Sequence, residues 1–149
     1  MAQPTHLYVL KQGVATWNQW RQENPTIQPD LGNANLARAN LALANFKRVN
    51  LRLADLTGAD LRGIDLREAD LTLAKLIQAN LSNANLGGAD LTGADLTNAS
   101  LKESNLSNAT LKVANLTGSD LSGANLSNAN TDGAILPSTR RGFWGIFRG

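Results

Sequence analysis

The sequence contains no cysteine, one histidine and few aromatic residues: three tryptophans, three phenylalanines and one tyrosine. Without cysteine the chain has no disulfide, no thiolate metal site and no thiolate nucleophile. The single histidine, His6, lies near one end of the chain, where we expect a mobile terminus, and no suitable serine stands beside it. This inventory predicts no catalytic residue, no cofactor and no metal ligand, so we expect a protein that is not an enzyme.

Long apolar runs are also missing from the start of the chain. The longest there is Leu7 to Leu10, and no basic segment precedes it. A targeting peptide needs both features, so we expect a soluble protein in the cytoplasm.

What the sequence does have is a large apolar residue at every fifth position from Leu31 to Leu126. Phe46 is the one centre in this run that is not leucine. A small residue stands two positions before nearly every centre, and asparagine or aspartate usually stands directly before it, so that the unit reads A-[N/D]-L-x-x. Self-similarity at a fixed period is typical of stacked repeats.

A period of five excludes both regular elements over this stretch. In an α-helix, five residues advance about 140° beyond a full turn, so the leucines would wind around every side. In a straight strand, residues five apart face opposite ways. Each unit must therefore contain a turn that keeps its leucine pointing inward, with Asn, Asp, Gly and Ser where the backbone needs freedom.

The run ANLSNANLGGADLTGADLTNASL, Ala79 to Leu101, resembles the pentapeptide-repeat family, and the resemblance covers residues 31–136. It implies an all-β solenoid: a right-handed quadrilateral β-helix with four pentapeptides to a coil and about five coils. Residues twenty apart should then stack in columns, with Asp55, Lys75 and Asp95 in one of them.

Residues 1–30 differ in kind, and we interpret them as a short α-helical cap with a link. A helix from about Leu10 to Asn24 precedes an extended link, PTIQP, that leads into the first coil. Apolar residues recur at helical spacing at Leu7, Leu10, Val14 and Trp17. An uncapped coil end exposes unpaired backbone groups, which favours a cap. The alternative is a docking surface built on Trp17, Trp20 and Arg21.

Charge could carry function within the repeat. Residues 31–136 hold ten acids and nine bases, with seven bases and five acids in residues 31–79, and two bases and five acids in residues 80–136. One hypothesis is a basic patch for an acidic partner, formed by Lys47, Arg48, Arg52, Arg62 and Arg67. The alternative is a solvated surface of alternating charge, whose pairs contribute at most about 1 kcal/mol each.

The last thirteen residues, 137–149, form a basic and aromatic tail, PSTRRGFWGIFRG. The residues that could cap or interact are Arg140, Arg141, Phe143, Trp144 and Phe147. They could cover the open C-terminal coil, pair with a second copy of the chain, or contact a membrane surface or partner. The family resemblance favours a homodimer through the C-terminal end as the form of such pairing.

Two classes of function follow. The first is a rigid, non-catalytic interaction or scaffolding module for an unknown protein partner. The second comes from the resemblance: some pentapeptide-repeat proteins mimic duplex DNA and bind or inhibit DNA gyrase. Mimicry needs a strongly acidic surface, which this nearly neutral repeat lacks. Direct nucleic-acid binding is not expected either, because the bases alternate with acids and no aromatic residue stands among them to stack on a base.

Overall fold

The computed structural model describes residues 1–138 and begins with two helices, α1 (Pro4–Lys11) and α2 (Val14–Glu23). Pro4 suits the first turn of α1, where its missing N–H needs no partner. The prediction of one helix from Leu10 to Asn24 is wrong. The chain breaks at Gly13, whose φ of 110° a helix does not allow.

From Asp30 onward the chain forms a stack of coils. Parallel bridges join residues twenty apart, from Asp30 with Asn50 to Asn115 with Ile135. Each bridge stays isolated within residues 1–138, because every unit turns before a longer strand can form. The predicted column of Asp55, Lys75 and Asp95 is confirmed. We number the four units of a coil in chain order, so that Leu31, Leu36, Leu41 and Phe46 are the centres of units one to four.

The backbone explains why asparagine or aspartate precedes each leucine. In the unit 51–55 all five N–H groups are bonded: two to the next coil, one to the previous coil, one within the turn and one to a side chain. The bonds are Leu51 to Asp70 O (2.7 Å), Leu53 to Thr72 O (3.0 Å), Asp55 to Ala34 O (2.9 Å), Ala54 to Leu51 O (3.0 Å) and Arg52 to Asn50 Oδ1 (3.0 Å). The side chain before the leucine thus binds the N–H that the coils leave unpaired.

Each unit also requires one left-handed residue, two positions after the leucine. At this position φ lies between 50° and 71° in every unit from Asn33 to Gly133. The following small residue donates its N–H to the carbonyl of the leucine, as Ala54 does to Leu51, which closes a type II turn. We call this the left-handed position. Glycine and asparagine adopt it at little cost.

The core is a column of leucines with alanines beside them. Leucine centres from Leu51 to Leu116 are at most 1% exposed, and most alanines two positions before a centre are equally buried. The space beside the leucine is small, and alanine fills it in most units, but Val49 and Ile64 occupy the same position fully buried, so the site accepts a larger side chain in some coils.

The two helices pack on the first coil. Trp17 is fully buried against Phe46, with ring centroids 5.3 Å apart, and its Nε1–H donates to Asn45 O at 2.8 Å. Phe46 replaces leucine where the core must meet this tryptophan. The expectation that His6 lies in a mobile terminus is wrong: its Nδ1 accepts the Asp30 N–H at 3.0 Å. Within residues 1–138 neither helix has the length and hydrophobicity to cross a bilayer.

Replacing Leu81, fully buried in the middle of the leucine column, by aspartate should abolish soluble folded protein. The change puts an unpaired charge in an apolar interior, at a cost of several kcal/mol. Ser82→Asp is the matched control and should be tolerated, because Ser82 reaches the surface. Soluble yield and far-ultraviolet circular dichroism report the result. Equal soluble yield and equal circular dichroism of the two variants would show that the inward direction of Leu81 and the outward direction of Ser82 are misassigned.

Candidate interaction surface

Four large apolar side chains occupy the left-handed position and lie exposed. They are Leu43 (72% exposed), Leu53 (49%), Leu73 (49%) and Val113 (62%). In every other unit this position holds glycine, asparagine or another polar or charged residue. The four residues therefore depart from the pattern in two ways, by hydrophobicity and by backbone conformation.

Three of the four share one column. Leu53, Leu73 and Val113 stand in unit one of their coils, where the other levels hold Asn33, Gly93 and Gly133. We call Leu53, Leu73, Gly93, Val113 and Gly133 the apolar column. Leu43 belongs to unit three, where Gly63 stands at the next level.

The glycines make room for the apolar side chains. A Cβ atom placed on Gly93 would lie 2.7 Å from Leu73 Cδ2, and one placed on Gly133 would lie 3.0 Å from Val113 Cγ1. The same holds for Gly63 under Leu43, at 2.8 Å. Leu43, Leu73 and Val113 thus each lie over the glycine of the coil that follows, and the apolar column forms a low ridge along one edge of the stack.

This arrangement has a cost in backbone conformation. The left-handed conformation costs a residue with a Cβ atom about 1 kcal/mol or more, and Val113, at φ 50°, is β-branched and worse still. Leu53 and Leu73 are 49% exposed and Val113 is 62% exposed, so partial burial offsets part of this cost. The turn requires this conformation but does not require leucine or valine in it, and residues held in a disfavoured conformation are typical of functional surfaces.

The columns on both sides of the ridge carry mixed charge. One side has Arg52, Thr72, Thr92, Lys112 and Asp132, and the other has Asp55, Lys75, Asp95, Asn115 and Ile135. Ile135 is 57% exposed and extends the apolar surface at its C-terminal end. A partner that covers the ridge would therefore meet apolar groups in the middle and polar groups at the rim, as in protein interfaces.

The five residues of the proposed basic patch lie in three different units of the coil. Lys47, Arg48 and Arg67 are in unit four, whereas Arg52 is in unit one and Arg62 in unit three. Four of the five have a carboxylate nearby. The pairs are Arg62 with Asp60 (2.6 Å), Arg67 with Asp65 (2.6 Å), Arg48 with Glu68 (3.7 Å) and Arg52 with Asp70 (3.8 Å). The structure thus distributes these charges instead of assembling them.

The aromatic residues of the N-terminal helices mostly pack against other residues of the chain. Trp17 has no exposed surface, and Trp20 is half-buried between His6 and Trp17, with ring centroids at 5.3 Å and 5.4 Å. Arg21 donates to Lys47 O at 2.7 Å, and burial lowers its pKa although the charge of Asp65 opposes this. The tail residues Arg140, Arg141, Phe143, Trp144 and Phe147 lie outside the described residues. Within residues 1–138 no three acidic or histidine side chains cluster to hold a metal ion.

Sequence reasoning missed the apolar column, although a signal for it exists. Leu53 and Leu73 stand two residues after a core leucine, in the strings LRL and LTL. This spacing suggests a second inward side chain if the unit is treated as a strand. The left-handed turn reverses that direction, so a large apolar residue at this position points outward and can be recognised by its contrast with glycine and asparagine elsewhere.

Asp55, Asp60, Asp65 and Asp120, four carboxylates that stand before leucines, have lowered pKa values because they accept hydrogen bonds in the turn. The side chain of Arg62 lowers the pKa of Asp60, and the hydroxyl and N–H of Ser122 lower that of Asp120. Burial raises the pKa of Asp65, but the hydrogen bonds from the side chain and N–H of Arg67, with its charge, outweigh burial and lower it. The ionised forms therefore stabilise the folded state.

Stability should fall on acidification. Because these folded pKa values lie below the unfolded value of about 3.9, the stabilisation is present above that value and is lost as pH falls through the folded pKa. Thermal midpoints measured from pH 7 to pH 2.5 should decrease below about pH 4. The double variant Asp60→Asn and Asp65→Asn keeps both turn acceptors without charge, so its midpoint should depend less on pH. An unchanged pH dependence would contradict the role of these two carboxylates.

Comparison with known proteins agrees with the coil register. The sequence matches the family described as pentapeptide repeats in eight copies, over residues 30–67, 54–93, 74–112 and 94–130. These segments cover most of the coil stack. No curated protein matches the chain.

Several solved structures are similar. A pentapeptide repeat protein, alr5209, from Nostoc PCC 7120 is 34% identical, with 85% of this chain and 86% of that chain covered and a TM-score of 0.51. Rfr23, from the cyanobacterium Cyanothece 51142, is 32% identical, with 82% and 99% covered and a TM-score of 0.47. QnrB1, a plasmid-mediated fluoroquinolone resistance protein, is 27% identical, with 72% and 63% covered and a TM-score of 0.36. The family match and the likeness to alr5209 show that this chain belongs to the pentapeptide-repeat family.

Proposed function

We propose that the protein is a non-catalytic interaction module, a right-handed four-sided β-helical rod that binds a protein partner along the apolar column. The partner contributes an apolar segment that lies across Leu53, Leu73 and Val113 and polar groups that meet the charged columns beside them. The rod acts by shape and contact and performs no chemistry.

One observation carries this proposal: apolar side chains are held exposed at a backbone position that penalises them. Asparagine occupies the same position in units such as those of Asn83 and Asn98 without either penalty. The fold would therefore accept a polar residue at Leu53, Leu73 and Val113. A contact surface is a physical reason for keeping leucine and valine there.

The distribution of polar groups supports a role without catalysis. Leucine and alanine, with Ile64 and Ser104, fill the interior between Leu51 and Leu116, which leaves no internal space for a substrate. The carboxylates Asp60 and Asp65 lie on the outside and are bound by arginines in the same unit. General acid–base catalysis instead needs titratable groups held together in a partly dry cleft.

The charges of the coil stack give less support to the alternative, in which the protein mimics DNA and binds or inhibits DNA gyrase. Ten acids face nine bases across residues 31–136. The arginine pairs of Asp60 and Asp65 further neutralise the acids that project from the coils. A surface that competes for a phosphate-binding site needs a negative potential that these pairs cancel.

The triple variant Leu53→Asn, Leu73→Asn and Val113→Asn tests the proposed surface. Its thermal midpoint should stay within about 4 °C of the wild type per substitution, because relief of the left-handed strain offsets the lost partial burial. A protein captured from lysate by the wild type should no longer be captured by the variant. Truncation of apolar side chains at the centre of an interface weakens binding by roughly thirtyfold or more.

Leu43→Asn is the matched control, because Leu43 has the same backbone conformation and is also exposed, at 72%, but lies in another column. This variant should capture the partner as the wild type does. Capture by the triple variant at wild-type levels would refute the proposed surface, and a midpoint lowered by more than about 10 °C would show that the three side chains serve the fold.

A further inference from the structure

We propose that a pocket between the end of α2 and the first coil binds a phosphate group. The pocket has a volume of about 100 Å³ and is lined by α2, the link that follows it and unit four. The lining residues are Arg21, Pro25, Thr26, Ile27, Gln28 and Arg48. This site is separate from the apolar column, which lies in unit one, so the inference does not rest on the proposed function.

The size of the pocket limits the ligand. Sites for drug-sized molecules have volumes of about 300 Å³ or more. A pocket of about 100 Å³ has room for about three water molecules, at roughly 30 Å³ each, or for one phosphate group in their place. The ligand is therefore a small ion, or the end group of a molecule that otherwise stays outside the pocket.

The lining of the pocket is positively charged. Arg21 and Arg48 each carry one charge, and none of the described residues that line the pocket is acidic. Two acids of unit four stand in the next coil, but each faces an arginine. Glu68 Oε2 lies 3.7 Å from Arg48 Nε, and the Asp65 carboxylate lies 2.6 Å from the guanidinium of Arg67. Together with Arg21, unit four of the first two coils holds four bases and two acids, a balance that attracts an anion.

The guanidinium of Arg21 is short of hydrogen-bond acceptors. Its Nη1 donates to Ile27 O at 3.1 Å and its Nη2 to Lys47 O at 2.7 Å, and each of these nitrogens carries a second N–H group that can donate to an anion. Its Nε is shielded from solvent and has no partner among residues 1–138. Burial lowers the pKa of Arg21, although the charge of Asp65 opposes this. An anion in the pocket offsets the lost hydration, and phosphate oxygens suit the planar fork of donors in arginine.

Arg48 reaches the pocket from the left-handed position of its unit. Its φ is 61°, a conformation that asparagine or glycine adopts at less cost, so the turn does not require arginine there. The distance of 3.7 Å from its Nε to Glu68 Oε2 is too long for a hydrogen bond. The guanidinium of Arg48 therefore keeps N–H groups for an anion, and the two arginines supply donors from α2 and from unit four.

Titration of the full chain with inorganic phosphate tests the site, with the ionic strength held constant by sodium chloride. The backbone amide signals of Thr26, Ile27, Gln28 and Arg48 in nuclear magnetic resonance spectra should shift and saturate at millimolar phosphate. The signal of Leu81, in the middle of the coil stack, should not move. Absence of a saturable shift at the four residues would overturn the proposal. Equal shifts with acetate would also overturn it, because they would show no preference for phosphate.

Arg48→Asn and Arg38→Asn form a matched pair of variants. Both arginines are exposed and occupy the left-handed position, at φ 61° and 59°, but Arg38 lies in unit two and does not line the pocket. Arg48→Asn should raise the Kd for phosphate at least about tenfold, the usual effect of losing a hydrogen bond to a charged group. Arg38→Asn removes the same charge at a distance that salt screens, so its Kd should stay within about twofold of the wild type. Equal weakening by the two variants would overturn the site, because it would show general attraction to a basic surface.

Two further measurements identify the source of the phosphate group and separate this inference from the proposed function. Glycerol phosphate that binds as tightly as inorganic phosphate, with the same loss in Arg48→Asn, would assign the site to a phosphate ester, whereas much weaker binding would assign it to the free ion. The triple variant at Leu53, Leu73 and Val113 should bind phosphate as the wild type does. Loss of phosphate binding in that variant would overturn the placement of the site beside α2.

Discussion

The hydrogen bonds between coils, which pair residues twenty apart, are the constraint on which the rest of the structure depends. Leucine N–H groups bond to the next coil, as Leu51 does to Asp70 O at 2.7 Å, and these bonds fix the number of units in a coil at four. With the coil length fixed, each unit of five residues must turn once and return its leucine to the interior. The left-handed residue, the small residue and the asparagine or aspartate of the repeat all follow from that turn, because each satisfies one backbone or packing requirement that it creates.

The same register decides what the outer surface looks like. Every outward position stacks on its equivalent in the coils above and below, so a choice made at one level restricts the next. Leu73 can lie flat only because Gly93 has no side chain, and Val113 only because Gly133 has none. Charged side chains follow the same rule, because Arg48 forms an ion pair with Glu68, which lies twenty residues later in the chain. A column of exposed leucine and valine is therefore a property of at least five residues together, which makes it a more specific feature than one exposed apolar side chain.

The coils could be predicted from the sequence because a period of five is incompatible with helix and strand, and because leucine, alanine and asparagine each have a fixed place in the unit. Details that depend on the direction of a side chain or on tertiary contacts could not be predicted from the sequence. The spacing of Leu10, Val14 and Trp17 continues across Gly13, so hydrophobicity alone does not reveal the break between α1 and α2. Arg62 and Arg67 seemed to belong to a patch, but the aspartate two residues before each of them accepts its guanidinium hydrogen bonds. Leu53 and Leu73 were overlooked because only the sign of φ shows that they point outward.

Amide hydrogen exchange of Leu53, Leu73 and Val113 tests the central claim most directly, namely that the ladder between coils holds these side chains in a strained, outward position. Their N–H groups bond to Thr72 O at 3.0 Å, Thr92 O at 2.9 Å and Asp132 O at 2.9 Å. The account predicts that they exchange as slowly as the core amides of Leu51 and Leu71, because both sets open only when coils separate. Exchange at the rate of an unstructured peptide, with Leu51 and Leu71 still protected, would contradict it, since the three residues would then lie in loose loops without a fixed surface.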